Sequence, residues 1–223
     1  MYVVGQRSCM VCGALKHSKI ISVANAPKIH VISSETRLSS KLFGTIELVQ
    51  CDECGHIFNC SSSDGEVEKS HDLYLTNTPI NEAMIARHEQ TVDFLTSHTE
   101  KNLHILDVGA GSGALAAAFA NRGHQVTVVE PSTKIDGQAL ARFGVKVIKD
   151  FWPTGRLEGQ KFDLILCVQV LEHIGDPCAF MSSLISSLDE EGKIYLEVPS
   201  GDWVREHSSL IDIHHPHLNY YSA

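Results

Sequence analysis

Apolar positions after residue 100 form short runs that alternate with segments of helical spacing. The predicted strands are residues 103–108, 125–129, 145–148, 162–168 and 192–198. The run at 162–168 is almost wholly apolar, as expected for a central parallel strand covered on both faces. The predicted helices are residues 113–122, 133–143 and 177–188. This alternation predicts an α/β fold with a doubly wound, mostly parallel sheet and right-handed crossovers.

Cap residues mark the ends of the helices. Gly123 and Gly144 follow the first two helices in the position of a C-terminal cap. Ser132 is interpreted first as the N-cap of the second of these helices, and a contact with a ligand is the alternative. Thr78 and Pro79 are expected to be the N-cap and first residue of an earlier helix. The face of that helix that should pack on the sheet carries Ile80, Met84, Thr91, Val92 and Leu95.

Four of the seven cysteines form two Cys-x-x-Cys-Gly pairs, Cys9 with Cys12 and Cys51 with Cys54. Two thiolate pairs of this spacing can close a tetrahedral site, so we expect a structural Zn²⁺ held by all four, with unligated thiols as the alternative. Cys60, His17 and His56 are spare donors. The predicted organisation is a zinc-binding domain over residues 1–60 with strands at 28–32 and 45–50, a linker and lid at 61–79, and a larger domain over 80–223.

A glycine-rich turn follows the first predicted strand of the larger domain. Asp107 lies on that strand, and Gly109, Ala110 and Gly111 open the turn into a helix. Such a turn lets the backbone pass close to a polar or anionic ligand at the helix N-terminus. Glu130, at the end of the next strand, is placed to accept hydrogen bonds from ribose hydroxyls. The spacing departs from that of a dinucleotide-binding turn, but a nicotinamide-binding domain and a fold without nucleotide remain alternatives.

Residues 80–199 resemble a class I S-adenosylmethionine-dependent methyltransferase, with the Rossmann-like sheet of that class. The resemblance implies S-adenosylmethionine as cofactor. The methionine and ribose part would lie on the glycine turn with Asp107 holding it, and Glu130 with Pro131 would bind the ribose. The adenine would contact Asp150 and Phe151, and Gln169 and Val170 would lie beneath the sulfonium. The chain also ends sooner after the fifth strand than is usual for this class, which we interpret as C-terminal truncation.

The last segment, 212–222, places His214, His215 and His217 close together in one predicted loop. With the cysteine pairs and Tyr74, it resembles the zinc-containing C-methyltransferases of nucleotide-linked keto-deoxysugars. That resemblance implies His217 as the catalytic base, helped by Tyr74. Pro216 stands where the family has a glutamate, which keeps O-methylation, another substrate and loss of activity as alternatives. A solvated turn or an adventitious metal site is the alternative for the histidines themselves.

Composition narrows the range of partners. The net charge of −9 and the absence of clustered lysine or arginine disfavour a nucleic-acid substrate, including for an RNA methyltransferase, and favour a small molecule. No apolar stretch is long enough to span a bilayer and no signal peptide is recognisable, so we expect a cytoplasmic protein without a membrane partner. An unfinished sheet edge would favour a homodimer. A second class of function is a catalytically lapsed S-adenosylmethionine-binding interaction module.

Overall fold

A computed structural model describes residues 7–28, 43–61, 78–79, 81–99, 101–207, 209 and 212–222. The chain divides into two compact units. The first comprises Met1–Leu73, Leu171–Ala179 and Val198–Ala223, and the second comprises Tyr74–Val170 and Phe180–Glu197. Among the residues described, no helix is long and apolar enough to cross a membrane.

The first unit contains a four-stranded antiparallel sheet. Its strands, in the order in which they pair, are β1 (His17–Pro27), β2 (Phe43–Cys51), β3 (Ile57–Asn59) and β9 (Asn219–Tyr220). Side chains alternate across β2, so Ile46 and Leu48 enter one apolar cluster while Val49 and Cys51 enter another. The strand predicted at 45–50 is therefore confirmed. Of the strand predicted at 28–32, residues 29–32 lie outside the described residues.

The loop predicted over residues 212–222 contains a two-residue strand, and a helix precedes it. Helix α5 (Gly201–His207) places Val204 in the same cluster as Ile46, and the chain returns as β9 beside β3. Gly201 donates its N–H to the Tyr221 carbonyl at 2.7 Å. A Cβ at Gly201 would lie 2.8 Å from that carbonyl oxygen, so glycine permits the close approach of the two backbones.

The second unit contains a five-stranded sheet in which every pair of neighbours is parallel. Its strands are β4 (His104–Val108), β5 (Gln125–Val129), β6 (Lys146–Ile148), β7 (Phe162–Val168) and β8 (Leu188–Glu197), in the order β6-β5-β4-β7-β8. Its helices are α1 (Glu82–Thr96), α2 (Ala114–Asn121), α3 (Gly137–Ala141) and α4 (Pro177–Ser186), the last of which begins in residues assigned to the first unit. The predicted α/β fold with a Rossmann-like parallel sheet is confirmed.

Several element ends differ from the sequence predictions. Helix α1 begins after Asn81, whose side chain accepts the Met84 N–H at 2.9 Å, and not at Pro79. Helix α3 is capped by Asp136, which accepts the N–H groups of Gln138 and Ala139, and so is shorter than predicted. Ser132 is consequently not a helix N-cap. Gly123 lies directly after the C-cap Arg122 of α2, as predicted, whereas Gly144 lies two residues beyond the C-cap Arg142 of the shortened α3; both glycines have positive φ.

Candidate functional site

The turn between β4 and α2 depends on glycine. Gly109 has φ 70° and Gly111 has φ 57°, a region that other residues rarely adopt. A Cβ on Gly109 would lie only 2.4 Å from Cγ2 of Val170. The turn predicted from the sequence is therefore present, and the Val170 side chain packs directly against it.

Glu130 connects this turn to the end of β5. Its Oε2 accepts the Gly111 N–H at 2.8 Å, and its Oε1 accepts the Ser132 N–H at 2.9 Å. The side chain is buried, and Pro131 beside it is partly buried. Because each oxygen already accepts one backbone hydrogen bond, the carboxylate is fixed in orientation and retains acceptor capacity for a hydroxyl.

Asp107 is a buried acid at the end of β4, only 2% exposed. Burial raises the pKa of this carboxyl to about 7, and the nearby Glu130 carboxylate adds to the effect. A positive charge next to Asp107 would lower the pKa of its carboxyl and so oppose both effects. The side chain is therefore well suited to bind a cationic group.

Asp107 lines a cavity of about 370 Å³ within the second unit. Ala110 and Gln169, two other predicted cofactor residues, line the same cavity. Gln169 follows β7 with φ 57°, a conformation that is uncommon for a residue other than glycine and is often found at functional sites. The cavity thus lies at the carboxyl ends of β4 and β7, where the strand order reverses and ligands bind in open α/β sheets.

Part of the cavity wall comes from residues that the sequence does not single out. Helix α1 contributes Arg87, and β8 contributes Tyr195 and Glu197. The Glu197 carboxylate lies 2.5 Å from the Arg87 guanidinium, accepts the Tyr195 hydroxyl at 3.1 Å and accepts the Gln169 side-chain amide at 3.3 Å. The other lining residues are Met84, His88, Thr91, Leu115 and Val168. The sequence predicts Met84 and Thr91 on the face of α1 that packs on the sheet. That pattern is the signal from which the contribution of α1 to the cavity wall could have been inferred.

Asp150 and Phe151, predicted to contact adenine, follow β6. Asp150 accepts the Phe151 N–H at 2.9 Å and the Thr154 hydroxyl at 2.7 Å. The Thr154 hydrogen bond, followed by that of Phe151, lowers the pKa of Asp150, so this carboxyl is an acceptor at neutral pH. Phe151 is half exposed and offers a ring face to solvent. Their adenine contact stays a prediction.

The four cysteines predicted to bind zinc converge in the first unit. Their sulfur atoms all lie within 4.8 Å of one another, with Cys9 3.6 Å from Cys54 and Cys12 3.5 Å from Cys51. Each pair lies on a tight turn closed by a backbone hydrogen bond, from the N–H of Gly13 or Gly55 to the carbonyl of the first cysteine. Four converging thiols are the donor set of a structural zinc site.

The remaining cysteines lie elsewhere. Cys167 is buried on β7. Cys178 is exposed on α4, with its sulfur 3.5 Å from the Val11 carbonyl. The pKa of Cys51 is lowered to about 7, first by the backbone N–H of Cys54, whereas burial raises the pKa of Cys54 to about 12. Cys51 is thus the thiol that ionises most readily of these two.

His217, the predicted base, is buried in the first unit just before β9. Its Nδ1 donates to the Asp212 carbonyl at 2.9 Å, and its ring centroid lies 4.2 Å from that of His214. His173 donates from Nδ1 to the Pro216 carbonyl at 2.8 Å, and so holds the C-terminal segment by a hydrogen bond. Tyr74, the predicted helper of the base, lies outside the described residues.

The comparison with protein families decides the classification. The family described as "Methyltransferase domain" matches residues 80–223, more than half of the chain. The chain belongs to this methyltransferase family. Solved methyltransferases also align: the plantazolicin methyltransferase BpumL in complex with S-adenosylhomocysteine (TM-score 0.49, 16% identity, 67% of this chain and 57% of that one) and a coclaurine N-methyltransferase bound to N-methylheliamine and S-adenosylhomocysteine (0.49, 17%, 67% and 50%).

Curated relatives of this methyltransferase-family chain are named ubiquinone biosynthesis O-methyltransferases. The protein of Idiomarina loihiensis is 32% identical, with 46% of this chain and 45% of that protein covered. A protein of Coxiella burnetii is 30% identical, with 44% of each covered. The chain thus spans less than half the length of these relatives.

Proposed function

We propose that this protein is an S-adenosylmethionine-dependent methyltransferase that acts on a small molecule. The observation that carries the proposal is Asp107, a carboxyl with a raised pKa that lines a cavity beside a glycine turn. S-adenosylmethionine carries an ammonium and a sulfonium, and either charge would be stabilised by an ionised carboxylate in this buried place. Membership of the methyltransferase family points to the same ligand.

Residues in and around the cavity would hold this cofactor. Asp107 would face the amino group, the backbone of Gly109 and Gly111 would pass beneath the methionine end, and Glu130 would accept the ribose hydroxyls. Asp150 and Phe151 would bind the adenine. When bound, the cofactor supplies a methyl group on a good leaving group. The protein would then mainly hold donor and acceptor in line and remove a proton from the acceptor.

The finer proposal is C-methylation of a nucleotide-linked keto-deoxysugar with His217 as the base. Its support is the state of the His217 ring. A carbonyl oxygen only accepts hydrogen bonds, so Nδ1 of His217 carries the hydrogen and Nε2 holds the lone pair that a base needs. The names of the curated relatives favour O-methylation of another small molecule as the second candidate.

Incubation of the full chain with labelled S-adenosylmethionine and a panel of nucleotide-linked keto-deoxysugars and phenols tests the proposal. Label should appear on a carbon of a sugar, and His217→Ala should lose turnover while S-adenosylhomocysteine binding is kept. Label on oxygen would select the second candidate. An absence of calorimetric binding of either cofactor form would overturn the methyltransferase proposal.

We further propose that Cys9, Cys12, Cys51 and Cys54 hold a structural Zn²⁺. The convergence of their sulfur atoms supports this, and a site closed by four thiolates stabilises a fold without taking part in chemistry. The proposed organisation remains that of the sequence analysis, with the zinc-binding domain over residues 1–60 and the methyltransferase domain over residues 80–223.

A further inference from the structure

A second group of metal-ligating side chains lies in the first unit, separate from the cysteines. Glu172 and His173 lie on a 3₁₀ turn (Leu171–His173), and His217 lies before β9. One carboxylate oxygen and one nitrogen of each ring lie within 4.8 Å of one another. Oε1 of Glu172 is 3.9 Å from Nε2 of His173. The ligands of a zinc ion bound at about 2.0–2.1 Å lie about 3.3 Å apart, so small side-chain movements would complete a site.

Backbone carbonyls orient both imidazole rings. Nδ1 of His173 donates to Pro216, and Nδ1 of His217 donates to Asp212, at 2.8 and 2.9 Å. Each neutral ring therefore carries its hydrogen on Nδ1 and its lone pair on Nε2. Histidines that bind metals show this arrangement, in which an outer carbonyl fixes the tautomer and the ring orientation.

The burial of Glu172 favours a cation at this place. The residue is 1% exposed, and a bound cation would offset the free-energy cost of burying its ionised carboxylate. The turn that carries Glu172 is fixed to the C-terminal segment: the Leu218 N–H donates to the Glu172 carbonyl at 2.8 Å, and the Asn219 amide donates to the Ile174 carbonyl at 2.7 Å. The three ligand atoms are thus held together by the backbone and not by their own contacts alone.

We propose that Glu172, His173 and His217 bind a divalent first-row metal ion such as Zn²⁺ or Co²⁺. Two imidazole nitrogens and one carboxylate oxygen are ligands that these ions accept. A consequence follows that rests on the proposed function. A metal ion bound to the His217 lone pair prevents this residue from taking a proton, so micromolar Zn²⁺ inhibits methyl transfer.

The test of the site is metal stoichiometry in the full chain after chelator treatment. Titration with Zn²⁺ should fill one more site in the wild type than in Glu172→Gln or His173→Ala, and affinity at that site should fall at least about 100-fold in both variants. His207→Ala is the matched control, because His207 is exposed and stacks on Trp203 in the same unit. This control should keep both sites.

Cobalt spectroscopy identifies the ligands without using activity. In the wild type with one equivalent of Zn²⁺ already bound at the four cysteines, added Co²⁺ should give absorption of nitrogen and oxygen ligation without the intense sulfur charge-transfer band. Equal Zn²⁺ stoichiometry in the wild type and in folded Glu172→Gln and His173→Ala would overturn the site. If the site binds metal while turnover is insensitive to Zn²⁺, the inhibitory role is wrong. If no acceptor is methylated, the proposed function fails, and the metal count still decides on the site.

Discussion

Asp107 is a buried carboxyl in the wall of the proposed cofactor cavity. Its pKa of about 7 lies well above the usual value for aspartate because the carboxyl is buried near Glu130. The folded protein therefore holds a proton on Asp107 at pH values where the unfolded chain has lost it. This proton must be released before the carboxylate can pair with a cationic ligand.

Binding of S-adenosylhomocysteine should consequently depend on pH. The ionised fraction of a group with a pKa of about 7 rises from about one tenth at pH 6 to about nine tenths at pH 8, so affinity should increase about tenfold over this range. Isothermal titration calorimetry at several pH values measures this change in affinity. Asp107→Asn should bind more weakly at pH 8 and should lose the pH dependence. A slope that persists in this variant would contradict the assignment.

Glu130 should matter both for the glycine turn and for the ribose. In Glu130→Gln the amide keeps one accepting oxygen, so one of the N–H groups of Gly111 and Ser132 loses its acceptor. We expect a loss of about 1–3 kcal/mol in stability, and at least tenfold weaker S-adenosylhomocysteine binding, measured by denaturation and calorimetry. Glu158→Gln, at an exposed position, is the control and should change neither.

Single residues of the candidate site were predictable where a side chain suited to bind a ligand lies at the end of a predicted strand, or where the spacing of cysteines is typical of a metal site. Asp107, Glu130 and the two cysteine pairs follow from position at a strand end or from spacing alone. Arg87, Tyr195 and Glu197 were not predictable, because their meeting depends on how α1 and β8 pack, which no local pattern encodes. The proximity of Glu172 to His217 was not predictable for the same reason, since the two residues are distant in sequence and meet only in the folded chain.

At the scale of elements, buried strands were predicted best. β5 and β7 have the predicted bounds, because both are short apolar runs with buried side chains. β1 was not predicted at its true place, since most of its side chains are exposed and its pattern carries little signal. Helix α3 is shorter than predicted because Asp136 caps it within the segment of helical spacing.

At the turn between β4 and α2, the effect of a steric clash with Val170 can be measured separately from the effect of backbone strain. Gly109→Ala and Gly144→Ala both place a side chain at positive φ, which costs about 1 kcal/mol. Only at Gly109 does the new Cβ collide with another residue, Val170, whereas nothing lies within 4 Å of it at Gly144. Thermal denaturation should show the larger loss for Gly109→Ala, with weakened S-adenosylhomocysteine binding. Equal losses would show that the close approach of Val170 is unimportant.

At the scale of the whole molecule, metal removal should affect stability. Structural zinc sites of small domains contribute on the order of 10 kcal/mol of binding free energy. Chelation, or Cys51→Ser, should therefore lower the melting temperature and release one Zn²⁺, measured by calorimetry and metal analysis. Cys60→Ser is the matched control, because Cys60 directly follows β3 and packs against the apolar cluster of Cys9 and Cys51 but lies outside the group of four sulfurs. A protein that melts identically with and without chelator would contradict a stabilising zinc.

The antiparallel sheet of the first unit joins strands from opposite ends of the sequence, since β9 pairs with β3. During synthesis on the ribosome, β3 emerges long before β9, and the edge of β3 that pairs with β9 stays without that partner until residues 219–220 are made. An expression fragment that stops before residue 219 would leave that edge exposed to other chains. Such fragments should aggregate. Truncated variants of this protein should therefore keep residues 212–222, which carry His214, His215 and His217, together with the segment that carries the four cysteines.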